Sequence, residues 1–566
     1  MPLWGRHLPR SRDGMRQGVG CHLLSPPGDV ATLWNYCTRF HSSRRGSVAG
    51  QRLNSWKAIA AYIGREVRTV QRWAKARDLP VHRLPGGARP RVFAVESELD
   101  SWLRAAVSEP RSRPLSIAVL PFLNLAERPE DRFFGDGLAD DLINELVRLP
   151  GLRVIARTSS FAVGAEGLDA RAIGARLGAA WLVEGSVRRD GRRVRVSAQL
   201  VKTCDGGHAW SDRYDRDVED VFAIQDEIAR AIAQALRITL RQDRRATTPR
   251  DAVAYELWVK ARSLSQVFTP AAVAEASASY EAAIARDPLL ARPYFGLADL
   301  LFGAALFGLA DPPAVMPRAR TALTRSLELD AHFGEAHALL GVFRAILDYD
   351  WTGADSAFRR ALELSPGSAA VLSRHAWYFL VPRLQLAEAI SEAQEAVALD
   401  PLSPAAHGYL GLVLVVAGQY RRACAACRTA LRLAPGLLWL RWFHATALVY
   451  AGEVEEGLRQ FREVYEQLRQ PLVIGCMAAV CGLFSDRREA GELLRELEEM
   501  AGRVNVPPQA FAMAYLGLGD DRVFEALDQA ITARDPMASH LPSMPLYDGL
   551  RHDPRFTALL ARMGLA

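Results

Sequence analysis

The chain has 566 residues, 49% hydrophobic and 24% charged, ordinary values for a soluble protein of several domains. Its net charge of +6 is uneven: the first 113 residues hold twenty Lys/Arg against eight Asp/Glu, a net of +12 that leaves −6 for the rest, so the front of the chain suits an anionic partner. Seven scattered cysteines argue against a disulfide framework and for a reducing, cytoplasmic home, and the longest apolar runs (near 300–310, 410–417 and 471–484) fall short of the ~18–20 residues a membrane span needs.

Residues 1–50 show no helical or strand period and no secretory signal. They are expected to be disordered, or to reflect an early start codon with Met15 as a later one. Residues 51–107 read differently. Asn54 or Ser55 can cap a first helix, in which Trp56, Ile59, Ala60 and Ile63 recur at helical spacing. Gly64 allows a sharp turn into a second helix over about 67–77, with Val70 and Trp73 inward. Arg65, Arg68, Thr69, Gln71, Arg72 and Lys75 are then left to face a partner. Arg and Gln can bond base edges in a major groove, while Lys and Thr suit phosphates. Gly86-Gly87 breaks two extended runs into a hairpin wing tipped with Arg89 and Arg91. Ser97 with Asp100 forms a capping box for a third helix carrying Leu99, Trp102 and Leu103. The order of helix, turn, helix, wing and helix resembles the excisionase/MerR-like winged helix-turn-helix domains. The resemblance implies binding to double-stranded DNA, commonly as a homodimer reading two half-sites. The bland alternative is a small helical domain that binds protein.

A polar linker at 108–115 leads to an α/β sandwich over 116–241. "IAVLPF" (117–122), "LRVIA" (152–156), "AWLVEGSV" (180–187) and the alternating "VRVSAQL" (194–200) read as strands. Asp190-Gly191 suits the tight turn between the last two. "GLADDLINELVRL", "DARAIGARLGA" and "VFAIQDEIARAIAQAL" read as helices. With "FFGDGLADDLINEL" and "GHAWSDRYDRDVEDVFAIQDEIA", this stretch resembles the TolB N-terminal-like (FlgO-like) domain. Relatives of this type often carry a membrane span between head and body, which is missing here. Asp136, Asp140 and Asp141 are read as carboxylates offsetting the dipole of a helix start rather than as metal ligands. The loop around Leu123–Gly137 is the expected seat of any small ligand.

From 251 to 566 the chain is repetitive. Motifs ending at Pro288, Ala331, Pro366, Pro401 and Pro435 are spaced near 34 residues, with one longer step that implies an insertion around Gly308–Pro317. That period, with "AAHGYLGLVLVVAGQYRRACAACRTALRLAP", resembles tetratricopeptide repeats (TPR) and implies an all-α solenoid with a peptide- or protein-binding groove. Cys424 and Cys427 fall at packing positions of this repeat, so their CxxC is not read as a zinc site. His332, Glu335 and His337 lack the HExxH spacing. "LYDGLRHDPRFTALLARMGL" reads as a terminal cap.

The expected whole is a multidomain bacterial protein of the cytoplasm: a small winged helix-turn-helix, an α/β sandwich and an all-α TPR solenoid. It is read as a non-enzymatic DNA-binding transcriptional regulator without cofactor or metal, whose body receives a signal or partner protein. The alternative is an interaction scaffold whose basic head docks an acidic partner.

Overall fold

The computed structural model describes residues 52–53, 55–63, 70, 81–84, 91–95, 99, 115–125, 134–147, 149, 151–164, 166–190, 193–217, 221–236, 251–265, 267 and 269–566. The chain divides into two compact units, Met1–Arg111 and Ser112–Ala566.

In the first unit, strand β1 (Arg52–Leu53) precedes helix α1 (Trp56–Ile63), whose start Ser55 caps by accepting the Ala58 N–H at 3.1 Å. Strands β2 (His82–Leu84) and β3 (Arg91–Val95) pair antiparallel, with Leu84 opposite Arg91, and β1 adds to the outer side of β3. Ile59, Ala60, Val70, Ala94 and Leu99 form a small core beneath this sheet. The spacing of Ile59 and Ala60 made the buried face of α1 readable. Strand β1, two residues long, carries no such signal and was not expected.

The second unit opens with a mixed sheet. Strands β4 (Leu115–Val119), β5 (Leu123–Asn124), β6 (Leu152–Val154), β7 (Trp181–Asp190), β8 (Arg193–Lys202) and β9 (His208–Asp217) are arranged β6-β4-β7-β8-β9, with β5 pairing β7. The first part is parallel, and β7-β8-β9 is an antiparallel meander. Helices α2 (Phe134–Val147) and α5 (Val221–Ala235) cover one face, where Val183, Val187, Val194, Val196, Ala198 and Leu200 are buried. Helices α3 (Arg157–Gly164) and α4 (Ala170–Leu177) cover part of the other, over Ala118, Leu120 and Leu182. The period of two along each strand divides these residues between the faces. Three elements were not anticipated: α3, β9 and the two-residue β5, which lies in the stretch read as a loop.

Helical pairs follow: α6 (Ala252–Leu264) with α7 (Pro270–Arg286), α8 (Ala291–Leu306) with α9 (Pro312–Leu329), and α10 (Gly334–Phe343) with α11 (Trp351–Leu364). Next come α12 (Ala369–His375) with α13 (Leu386–Leu399), α14 (Pro404–Val416) with α15 (Tyr420–Leu433), and α16 (Leu438–Tyr450) with α17 (Val454–Gln467). The last pairs are α18 (Pro471–Phe484) with α19 (Arg487–Ala501), and α20 (Pro508–Leu518) with α21 (Arg522–Thr532), before a short α22 (Pro554–Arg562). This is a helical-repeat solenoid, as the 34-residue period predicts. The insertion expected at 308–317 is mostly absorbed by longer helices: α8 and α9 span 16 and 18 residues, against 13 and 14 for α14 and α15. First helices of successive pairs pack on one another. In α18 and α20 the approach is close enough that a Cβ on Gly482 would lie 2.2 Å from the Gly517 carbonyl oxygen. Only glycine fits there, which accounts for the small residues in that apolar run.

The repeat signature also explains the CxxC. Cys424 and Cys427 are buried on α15, with Ala423 and Ala430, and burial pushes the Cys427 thiol up to about 12. These thiols are packing groups and poor thiolate donors.

The solenoid coils back on itself. The turn after α8 meets residues far along the chain: Gln470 donates to the Gly308 carbonyl at 2.6 Å, Asn505 donates to Asp311 at 3.3 Å, and Phe307 lies 5.5 Å from Trp439 between ring centroids. The C-terminal segment does more than cover the last pair. His540 stacks on Trp377 at 4.5 Å and hydrogen-bonds the Trp377 carbonyl at 3.1 Å, while the Trp351 indole donates to the Met563 carbonyl at 2.6 Å. Trp377 belongs to a π-helical turn, Ala376–Leu380, that ends the first helix of its pair, and a second such turn, Arg344–Asp348, ends α10.

Candidate functional site

Three places in the molecule bear on function. The first is the N-terminal unit. Of the residues expected to face DNA, Arg65, Arg68, Thr69, Gln71, Arg72, Lys75 and Arg89 lie outside the described residues, as do Asn54, Gly64, Trp73, Gly86-Gly87, Ser97, Asp100, Trp102, Leu103 and residues 1–50. Arg91 is the first residue of β3, beside the hairpin connection rather than at its tip. His82 and Phe93, opposite one another on β2 and β3, stack at 5.0 Å and brace the ribbon. Val70 is fully buried, the side expected of it.

The second place is the junction of sheet layer and solenoid. Asp136 lies in the first turn of α2, as read from the sequence. Asp140 and Asp141 do not act as dipole-offsetting carboxylates of a helix start. They sit further along α2, almost fully buried, and face arginines of other elements. Asp140 pairs with Arg262 of α6 and lies 3.7 Å from Arg157 of α3. Asp141 pairs with Arg292 of α8 and accepts the Tyr255 hydroxyl at 2.7 Å. Burial lowers the pKa of Arg157 and Arg262 and brings Arg292 down to about 10, still charged at neutral pH. Gly137 is required by this junction: a Cβ there would lie 2.4 Å from the Tyr255 hydroxyl oxygen. Across the layer, Ser159 donates its N–H to Asp400 at 3.0 Å, its hydroxyl bonds the same oxygen, and the Ala156 N–H donates to the Leu399 carbonyl at 2.9 Å. Burial raises the Asp400 pKa despite these bonds. The cluster neutralises itself and is a fastening. The sequence could not report it, because apart from Arg157 the partners are 114 to 243 residues apart.

The third place is a hollow of about 380 Å³ on the sheet face that α3 and α4 leave open. Leu120, Pro121 and Gly164 form one wall. The floor presents Glu184, Ser186, Ser197, Gln199 and Ser211 from β7, β8 and β9, with Gln199 donating to Glu184 at 2.6 Å. The ligand seat expected at Leu123–Gly137 lies partly outside the described residues, and the hollow falls beside it.

Among the described residues, no group of three or more His, Cys, Asp or Glu is placed to hold a metal ion, and no helix is long and apolar enough to cross a membrane. His337 bonds the Ala331 carbonyl at 2.9 Å, and burial lowers its pKa.

No family model matches the chain. Over 186 residues it is 41% identical to a Rhizobium meliloti (strain 1021) protein described as "Putative adenylate cyclase 3", a stretch covering 32% of each chain. Over 229 residues it is 24% identical to the transcriptional regulator HilA of Salmonella typhimurium, covering 40% of this chain and 41% of that one. The chain thus spans less than half the length of these curated relatives. Among solved structures it is similar to a human IFIT1 dimer with m7Gppp-AAAA (14% identity, 61% of this chain and 83% of that chain, TM-score 0.39). It is also similar to pilF of Pseudomonas aeruginosa (21% identity, 40% and 96%, TM-score 0.28).

Proposed function

We propose that the protein is a DNA-binding transcriptional regulator without catalysis of its own. In this reading a winged helix-turn-helix in the N-terminal unit addresses DNA. A TolB-like sheet layer and a TPR-like solenoid receive a small ligand or a partner protein. The observation that carries it is the N-terminal core: a capped helix packed on a short antiparallel ribbon, with Val70 buried beneath. On a helical period, an inward Val70 leaves Arg68, Thr69, Gln71 and Arg72 on the outward side. The +12 charge of the first 113 residues supports an anionic partner. Distant similarity to a transcriptional regulator over two fifths of the chain agrees with it.

The test is selection of random duplex DNA by the full chain, beside an Arg68→Ala/Arg72→Ala variant. One enriched motif, lost in the variant, is the expected result, each direct base contact being worth about 1–3 kcal/mol. Unselective binding that falls steeply with salt would instead favour the scaffold reading. Because one relative is described as a cyclase, ATP turnover to cyclic AMP belongs in the same assay, and measurable turnover would overturn the non-catalytic reading.

A further inference from the structure

Strand β9 ends the sheet. It is ten residues long, about 33 Å at the rise of an extended chain, and among the described residues it pairs only with β8. Its free edge offers a row of backbone N–H and C=O groups. Proteins usually blunt such an edge with charged side chains, a bulge or a covering element, and β9 carries one register slip against β8, near its start between His208 and Trp210. Here the charges alternate in sign: Asp212, Arg213, Tyr214, Asp215, Arg216. The order is self-complementary when reversed. Laid antiparallel against itself about Tyr214, the strand sets Arg213 of one copy opposite Asp215 of the other and Asp212 opposite Arg216. Each occurs twice by symmetry, so the register aligns four ion pairs. A shift of one residue sets Asp212 opposite Asp217 and Arg213 opposite Arg216, so the charges also select the register.

Two of these groups make local bonds that pairing with a second strand would exchange: Asp212 accepts the Arg213 N–H at 2.7 Å, and Arg216 donates to the Asp215 carbonyl at 3.1 Å. The four charged side chains are exposed, while Tyr214 is buried under α5 and fixes which face each residue takes. Asp215 accepts both Arg195 bonds on one oxygen, Oδ2, at 3.1 and 2.7 Å, so Oδ1 keeps its capacity. Arg213 makes no ion pair among the described residues. Arg216 reaches Glu227 only at 3.6 Å.

We infer that the β9 edge is a two-fold interface with a second copy of this chain, joining two six-stranded sheets into one through the Arg213–Asp215 and Asp212–Arg216 pairs. A C2 contact of this kind is self-complementary and closes, unlike a strand edge that recruits copies without end. The inference concerns the sheet layer alone and stands whether or not the N-terminal unit binds DNA.

The test is sedimentation of the full chain across a concentration series. The wild type is expected to dimerise. Arg213→Asp and Asp215→Arg should each weaken association at least tenfold, because each places like charges across the axis. Mixed in equal amounts, the two variants should re-associate as a heterodimer, since every reversed charge then meets its opposite. Circular dichroism of each variant separates lost pairing from lost folding. A monomeric wild type would overturn the inference. So would an Arg213→Asp variant that dimerises as the wild type does, or folded variants that fail to pair when mixed.

Discussion

The solenoid is fastened at two places by opposite means. Toward the sheet layer it is held by charge: Asp140, Asp141 and Asp400 are buried against arginines, a tyrosine and a serine. Toward its own C-terminus it is held by rings and apolar packing, with His540 on Trp377 and with Leu541, Tyr547 and Phe556 almost fully buried. Desolvation offsets most of the attraction in a buried ion pair, so its net worth is small while its removal is costly. Apolar burial stabilises in proportion to the area covered, about 1.5–3 kcal/mol for a large side chain. The first junction therefore specifies which surfaces meet, and the second supplies much of the adhesion.

The contrast breaks most visibly at Asp141. Asp141→Ala leaves Arg292 buried without its carboxylate and should cost about 3–5 kcal/mol in denaturant melts. An Asp141→Leu/Arg292→Met double variant should recover a large part of that loss. If the double variant is no better than the single, the junction contributes net attraction and the contrast fails.

A smaller effect is expected at the C-terminal lock, where two neighbours titrate in opposite senses. Burial raises Asp535 to about 6, so the folded chain keeps a proton that the unfolded chain has lost, and stability falls as pH rises from about 4 to 6. Burial lowers His540 to about 4, so only the unfolded chain takes up its proton, and stability falls as pH drops from about 6.5 to 4. The two largely offset. Asp535→Asn keeps an acceptor for the Met537 N–H and removes one side of the balance. It should gain up to about 3 kcal/mol at pH 7 and then lose stability on acidification more steeply than the wild type. Parallel melting curves of the two proteins from pH 4 to 8 would refute it.

The smallest effect belongs to the closure between turns. Gln470→Ala removes a single half-exposed hydrogen bond to Gly308 and should cost about 0.5–1 kcal/mol. Differential scanning calorimetry can resolve that shift, and a loss as large as Asp141→Ala would mean the closure is a third fastening in its own right.

What could be read from the chain follows the range of the forces involved. The repeat period, the alternation of β8 and the cap at Ser55 are local patterns and were legible. Helix α3 was not, because Ser159 and Ser160 turn inward, Ser159 to meet Asp400 some 240 residues away, which makes its sequence look like a polar loop. Strand β9 was hidden by its charges, since only Trp210 and Tyr214 mark its inner face. Asp140 and Asp141 stood out by residue type but suggested the wrong role. Carboxylates near a helix start point to the dipole, and only the fold brings Arg262 and Arg292 to them. The hollow at Glu184 and Gln199 was equally unreadable, because it depends on where α3 stops. For the DNA-facing residues, only the inward side at Val70 and the strand position of Arg91 bear on the expectation.

The contacts that bring Gly308 to Gln470 and Asp311 to Asn505 also change how the solenoid comes apart. An open array of helical pairs can fray from either end, since each pair leans only on its neighbours. Here the far pairs hold the early ones, so losing the last turns also loosens the first. Such an array should fold more slowly than its local helices alone would allow, because distant segments must meet before the ring closes. Pulled from its ends, it should yield in one large release rather than pair by pair.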